Sequence, residues 1–178
     1  MSVKKIIIGA VTTIIIGGSA YTVSQTDVIN NFAKDTGMTQ QQAEQYVKNI
    51  DKNDLTSWNK LGQDLITDSK DAISGANQID CANYTYEWES STLSCNEGKA
   101  QLTEAGNDEA SLGQAYEKLD SNSASKDNIS NTIVLIDKLN SDFEFEIVTK
   151  TLDKATITDT KQTNSYNKSI LKAALDSK

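Results

Sequence analysis

Two cysteines are the residues of this sequence with the clearest chemistry. Cys81 and Cys95 are the only cysteines, and they lie too far apart for the Cys-x-x-Cys turn of a redox-active pair. An even pair of this kind favours a structural disulfide, which persists in an oxidising compartment. On the chain-entropy model, closing a loop of about 15 residues stabilises a fold by around 3 kcal/mol.

Aromatic side chains alternate with small or charged residues between the two cysteines. Tyr84, Tyr86 and Trp88 follow each other at every second position, the period of a β-strand, so a strand would place all three on one face. An exposed aromatic row could stack on sugar rings or contact a partner protein, whereas a buried row would cover one end of the core. The sequence therefore predicts a short β segment and a candidate binding surface here.

Acidic residues offer the remaining chemistry. Glu87 and Glu89 would share the opposite face of the same strand, but a glycosidase needs two carboxylates held across a cleft, and no pattern indicates that geometry. The acidic clusters at 51–54 and 120–122 lack the glycine and closing glutamate of a calcium loop and are more typical of helix caps. The sequence has no histidine, which excludes imidazole-based nucleophile pairs and zinc sites. We expect no catalytic residue, metal or cofactor.

The charge balance argues against nucleic-acid partners. All 17 basic residues are lysines, against 25 acidic residues, and the formal net charge is −8. Without arginine there is no bidentate fork for phosphate or for a guanine edge. An acidic surface also repels nucleic acid and anionic lipid, so we expect the charge to keep the protein soluble rather than to recognise either.

The N-terminal segment has the three-part layout of a bacterial secretory signal peptide. Lys4 and Lys5 precede an apolar run at 6–16, and small residues follow up to Ala20. We expect cleavage between Ala20 and Tyr21.

An uncleaved membrane anchor is the alternative for the same segment. A helix over residues 6–23 would be about 27 Å long, just short of a typical hydrocarbon core of ~30 Å. Both interpretations leave the lysines inside and carry the remainder across the membrane. We therefore expect residues 1–25 to be a signal peptide or anchor, and residues 26–178 to be a periplasmic or secreted domain, tethered to the inner membrane if the segment is kept.

Apolar residues at spacings of three and four predict the elements that position these groups. The pattern indicates an antiparallel bundle of four to five helices with a disulfide-closed loop. Trp58 lies on the most regular stripe and is expected in the core. Gly106 and Gly113 weaken the next helix. The predicted helices are a hairpin over 26–50, a helix over 54–79, one around 105–119, a long one over 128–158 with a rival short strand at 143–147, and a short one from 166, after a polar stretch at 156–165.

The first helical hairpin carries two local signals. Gly37 is expected to adopt a left-handed conformation that ends the first helix, and Thr39 with Gln42 forms a capping-box pattern at the start of the second. The stretch over 26–39, with Ala43 and Val47, resembles the opening helices of the histone-like HU family. The resemblance implies the hairpin geometry. That family binds DNA through basic, proline-bearing β-arms, and this chain has neither Arg nor Pro, so DNA binding is not expected.

These features favour a binding function over an enzymatic one. We expect an exported, non-enzymatic helical protein that contacts another protein or a cell-envelope component, in a structural, adaptor or inhibitor-like role. One alternative is a cell-wall or carbohydrate-binding module using Tyr84, Tyr86 and Trp88. The other is a histidine-free hydrolase, which would need buried, closely spaced carboxylates in a cleft.

Overall fold

The fold is mainly helical. The computed structural model describes residues 11–16, 19–50, 56–82, 94–121, 124–149 and 154–177. Within these ranges no helix is both long and apolar enough to span a bilayer. The elements are β1 (Val11–Ile16), β2 (Ser19–Ser24), α1 (Gln25–Thr36), α2 (Gln40–Lys48), α3 (Trp58–Gln78), α4 (Cys95–Leu119), α5 (Lys126–Thr149) and α6 (Lys154–Asp176).

The four long helices alternate in direction along the chain. Helix α3 packs on α4, α4 on α5, and α5 on α6, while α1 packs on α6 and on α2. The predicted helical, bundle-like fold is therefore confirmed, with six helices in the described ranges rather than four or five. Hydrogen bonds between successive long helices join Asn59 to Asp120, Asp108 to Lys138, Asn140 to Asn164, and Lys126 to the carbonyl oxygen of Leu175.

The C-terminal helix is longer than the pattern predicted. The expected long helix ends at Thr149, and α6 contains the polar stretch at 156–165. Threonine hydroxyls there donate back along the helix, as Thr158 does to the carbonyl oxygen of Lys154. Ile157 and Thr163 are buried, so tertiary packing holds a segment whose composition indicated a loop.

The helical hairpin α1–α2 confirms the two local predictions. Gly37 has φ 69°, and Thr39 with Gln42 forms both hydrogen bonds of a capping box. The core formed here is aromatic. Phe32 from α1 lies with its ring centroid 4.8 Å from that of Tyr46 and 5.9 Å from that of Tyr166 in α6.

Charged side chains also join α1 to the C-terminal helix. The Nζ atom of Lys172 lies 2.8 Å from Oδ1 and 2.9 Å from Oδ2 of Asp35, at the end of α1. Lys168 contacts Asp35 at 3.6 Å and also pairs with Asp137 of α5. The network ties three helices together through a mostly buried carboxylate.

Two antiparallel strands precede α1. The register pairs Ile14 with Tyr21, and the buried side chains of Ile16, Tyr21 and Val23 join the core. The run of β-branched residues at 11–16 favours extended backbone. Residues 1–10 and 17–18 lie outside the described ranges, and the signal peptide or anchor over residues 6–23 stays a prediction.

Candidate functional site

A disulfide joins α3 and α4 at one end of their hairpin. The sulfur atoms of Cys81 and Cys95 are bonded, with a Cα–Cα distance of 5.6 Å. Cys81 follows the end of α3 and Cys95 is the first residue of α4. The predicted bridge is confirmed, and it fixes the separation of the two chain ends that enter the loop between them.

Glycines bring the two helices into backbone contact. A Cβ atom placed on Gly62 of α3 would lie 2.4 Å from the carbonyl oxygen of Gly113 in α4, and one on Gly113 would lie 2.7 Å from the carbonyl oxygen of Gly62. Further toward the disulfide, a Cβ on Gly106 would lie 2.7 Å from Cγ1 of Ile73. The glycines that weaken the helix in isolation are therefore positions at which α4 lies against α3 with no room for a side chain.

The helix ends beside the disulfide are capped. Lys99 donates from Nζ to the carbonyl oxygens of Asn77, at 3.2 Å, and Ile79, at 3.3 Å, at the end of α3. Ser94 and Glu97 form a capping box at the start of α4. Hydrogen bonds from the side chain and then the backbone of Ser94 lower the pKa of Glu97. Both ends of the loop are thus held by local hydrogen bonds as well as by the covalent bridge.

The residues predicted as a binding surface lie in that loop. Tyr84, Tyr86 and Trp88, with Glu87 and Glu89, belong to residues 83–93, outside the described residues. The aromatic row and its short β segment stay predictions. Trp58, which the apolar pattern placed in the core, is confirmed as a core residue. It stacks on Tyr116 with ring centroids 5.3 Å apart.

The predicted cleavage site lies on β2. Ala20 is exposed and Tyr21 is buried there, and cleavage between the two residues stays a prediction. Asp120 acts at a helix end, as expected, but on a different helix from its own: its Oδ2 accepts from the backbone N of Asn59 in the first turn of α3, at 2.6 Å.

A cluster of charged residues between α4 and α5 was not predicted. Lys138 of α5 places Nζ 2.8 Å from Oδ1 and 2.8 Å from Oδ2 of Asp108 in α4, and 3.7 Å from Oε1 of Glu104. Asp108 is only 8% exposed. Asp142, one turn after Lys138, presents its carboxyl to Asp108. The sequence shows Glu104 with Asp108, and Lys138 with Asp142, at i,i+4 spacing, but not that these two faces meet.

The positive and negative charges of this cluster do not balance. Burial first, then the hydrogen bond and charge of Asp108 and the charge of Glu104, raise the pKa of Asp142 to about 6, while Lys138 opposes the rise. The hydrogen bond from Lys138 to Asp108, aided by the neighbouring carboxylates, raises the pKa of Lys138, so its ammonium stays charged at neutral pH. One cation therefore faces three carboxyl groups.

This arrangement bears on the hydrolase alternative. The carboxyls of Asp108 and Asp142 are closely spaced, as that hypothesis requires. They lie between two packed helices, beside the half-exposed side chain of Lys138. In the described part of the chain, no group of three or more acidic or cysteine side chains is placed to hold a metal ion.

Comparison with known proteins adds no assignment. No protein-family model matches the chain, and no curated protein or solved structure is significantly similar to it.

Proposed function

We propose that this chain is an exported, non-enzymatic helical protein that binds another protein at or beyond the membrane. The binding surface that we propose is the stapled end of the α3–α4 hairpin. The observation that carries the proposal is the disulfide between Cys81 and Cys95, which closes the loop containing Tyr84, Tyr86 and Trp88.

The stapled hairpin suits recognition because its loop ends are set before any partner arrives. The disulfide and the hydrogen bonds made by Lys99 and Ser94 hold the two helix ends in place. Ordering a loop on binding costs free energy, and restraint of its ends lowers that cost. Tyrosine and tryptophan are enriched at the centres of protein interfaces, which supports a protein partner for this loop.

Two independent features support export. A disulfide is typical of an oxidising compartment, and the N-terminal residues have the layout of a signal peptide. Under this proposal the protein is released to the periplasm or beyond, or it stays tethered to the inner membrane through residues 6–23. Its partner is a protein or another envelope component in the same compartment, and nucleic acid is not among the expected partners.

The test is crosslinking of the full chain in its native cells. A variant combining Tyr84→Ala, Tyr86→Ala and Trp88→Ala should lose a discrete crosslinked protein that the wild type captures. Val134→Ala is the matched control, because Val134 is 63% exposed on α5, a different helix from the two stapled by the disulfide. A crosslinked partner that survives in the triple variant at wild-type yield would place the binding surface elsewhere and overturn the proposal.

A cell-wall or carbohydrate-binding module is the second candidate, and the same aromatic row supports it, since sugar rings stack on aromatic faces. This candidate predicts that the purified chain co-sediments with peptidoglycan and that Tyr86→Ala or Trp88→Ala abolishes co-sedimentation. Retention of the wild type in the supernatant would favour the protein partner instead.

A further inference from the structure

The seam between α4 and α5 combines one lysine with three carboxyl groups. Glu104 and Asp108 extend from α4, and Lys138 and Asp142 from α5. Lys138 contacts both oxygens of Asp108 at 2.8 Å, which neutralises one of the three. The Oδ2 atoms of Asp108 and Asp142 are both buried; Asp108 Oδ2 has the ammonium of Lys138 as its contact, whereas Asp142 Oδ2 makes no hydrogen bond within the described residues.

The two aspartates face each other across this seam. An ionised carboxylate can only accept hydrogen bonds, so a bond between the two groups requires a proton on one of them. With the proton present, the pair joins α4 to α5. Without it, two negative charges meet at a part-buried position, and the single ammonium of Lys138 is already engaged by Asp108.

We propose that Asp108 and Asp142 form an acid-strengthened latch between α4 and α5, closed by one shared proton and weakened when that proton is lost. The latch goes beyond the proposed binding function and does not rest on it. Its relevance is greatest for a protein exposed to surroundings whose pH the cell does not buffer. Helix α4 also begins at Cys95, so the latch acts on the same helix that supports the stapled loop.

The direction of the pH effect follows from the protonation equilibrium. The pKa of Asp142 is raised from 3.8 to about 6 in the folded chain. Because the folded state binds this proton more tightly than the unfolded state, the stabilisation is fully present below the unfolded value and is lost as pH rises through about 6. Asp108 and Glu104 of α4 favour protonation, and Lys138 on the same helix as Asp142 opposes it.

Denaturant unfolding of the full chain at pH 5.0 and pH 7.5 tests the latch. Relative to Asp142→Asn, which cannot lose a proton, the unfolding equilibrium constant of the wild type should rise several-fold between the two pH values. The full shift from 3.8 to about 6 would give about tenfold, and solvent screening of a part-exposed group lowers that figure. Asp159→Asn, an exposed carboxylate on α6, is the control for a simple change of charge and should keep the wild-type pH dependence. Burial also raises the pKa of Asp68 on α3, and comparison with Asp142→Asn cancels that contribution.

Carboxyl NMR titration provides a second readout that does not depend on variant stability. The side-chain carbon of Asp142 should titrate near pH 6 in the wild type, and its midpoint should fall in Asp108→Asn. A midpoint near the ordinary aspartate value in the wild type would overturn the latch. Equal pH dependence of unfolding in the wild type and Asp142→Asn would overturn it as well.

Discussion

Replacing glycine by alanine in the α3–α4 hairpin should change stability in opposite directions at different positions. A Cβ on Gly62 would lie 2.4 Å from the carbonyl oxygen of Gly113 and 3.0 Å from the backbone N of Glu117. Non-bonded carbon and oxygen atoms rarely approach closer than about 3.3 Å. Because these neighbours are backbone atoms, the helices themselves must move apart. Gly75, on the same helix, has nothing within 4 Å of its added Cβ.

The expected magnitudes follow from two opposing effects. Alanine is favoured over glycine by about 1 kcal/mol in a helix interior. Overpacking a close contact costs about 1–3 kcal/mol, and more where the backbone cannot yield. We therefore expect Gly62→Ala and Gly113→Ala each to lower the free energy of unfolding by about 2 kcal/mol, since the clash outweighs the helix preference. Gly75→Ala should raise it by up to about 1 kcal/mol.

Urea unfolding followed by circular dichroism measures these changes, with the disulfide kept oxidised in every variant. The midpoint should fall for Gly62→Ala and Gly113→Ala and rise for Gly75→Ala. If all three variants were stabilised alike, helix preference alone would decide their effect, and the backbone contact between α3 and α4 would be refuted.

Three further changes test other contacts of the fold by the same urea midpoints. Replacing both Cys81 and Cys95 with serine should lower the free energy of unfolding by around 3 kcal/mol; an unchanged midpoint would show that the bridge does not restrain the unfolded chain. Asp35→Ala should cost about 2 kcal/mol, less than a fully buried pair because the Lys172 side chain is 32% exposed, and a loss below the error of measurement would contradict the α1–α6 contact. Asp120→Ala removes the acceptor at the first turn of α3 and should cost about 1 kcal/mol; a neutral result would mean that solvent caps this helix equally well.

Local signals in the sequence predicted local structure well. The left-handed Gly37, the capping box at Thr39 and the disulfide each depend on residue types close in the chain or on a single pair, and all three are present. Trp58 is likewise buried, as the apolar stripe that contains it predicted. These features follow from short-range chemistry, which a sequence displays directly.

Features that depend on which helix faces pack against each other were not predictable from the sequence in the same way. Gly113 looked like a weak point in a helix, because its role requires the carbonyl of Gly62 on a neighbouring helix. For the same reason, nothing in the sequence around Asp108 or Asp142 indicates that these two residues lie together. The polar stretch at 156–165 has no apolar stripe strong enough to indicate a helix. The helix that contains it, α6, is stabilised by packing against α1 and α5.

The measurement closest to the central claim is the intact mass of the protein recovered from the non-cytoplasmic fraction of its native cells, with and without reductant. Export of a disulfide-stapled binding module predicts recovery in that fraction, with a mass that rises by two hydrogens on reduction. A chain beginning at Tyr21 would indicate release, and a full-length chain that stays with membranes would indicate tethering through residues 6–23. Recovery only from the cytoplasm, with Cys81 and Cys95 as free thiols, would contradict the account.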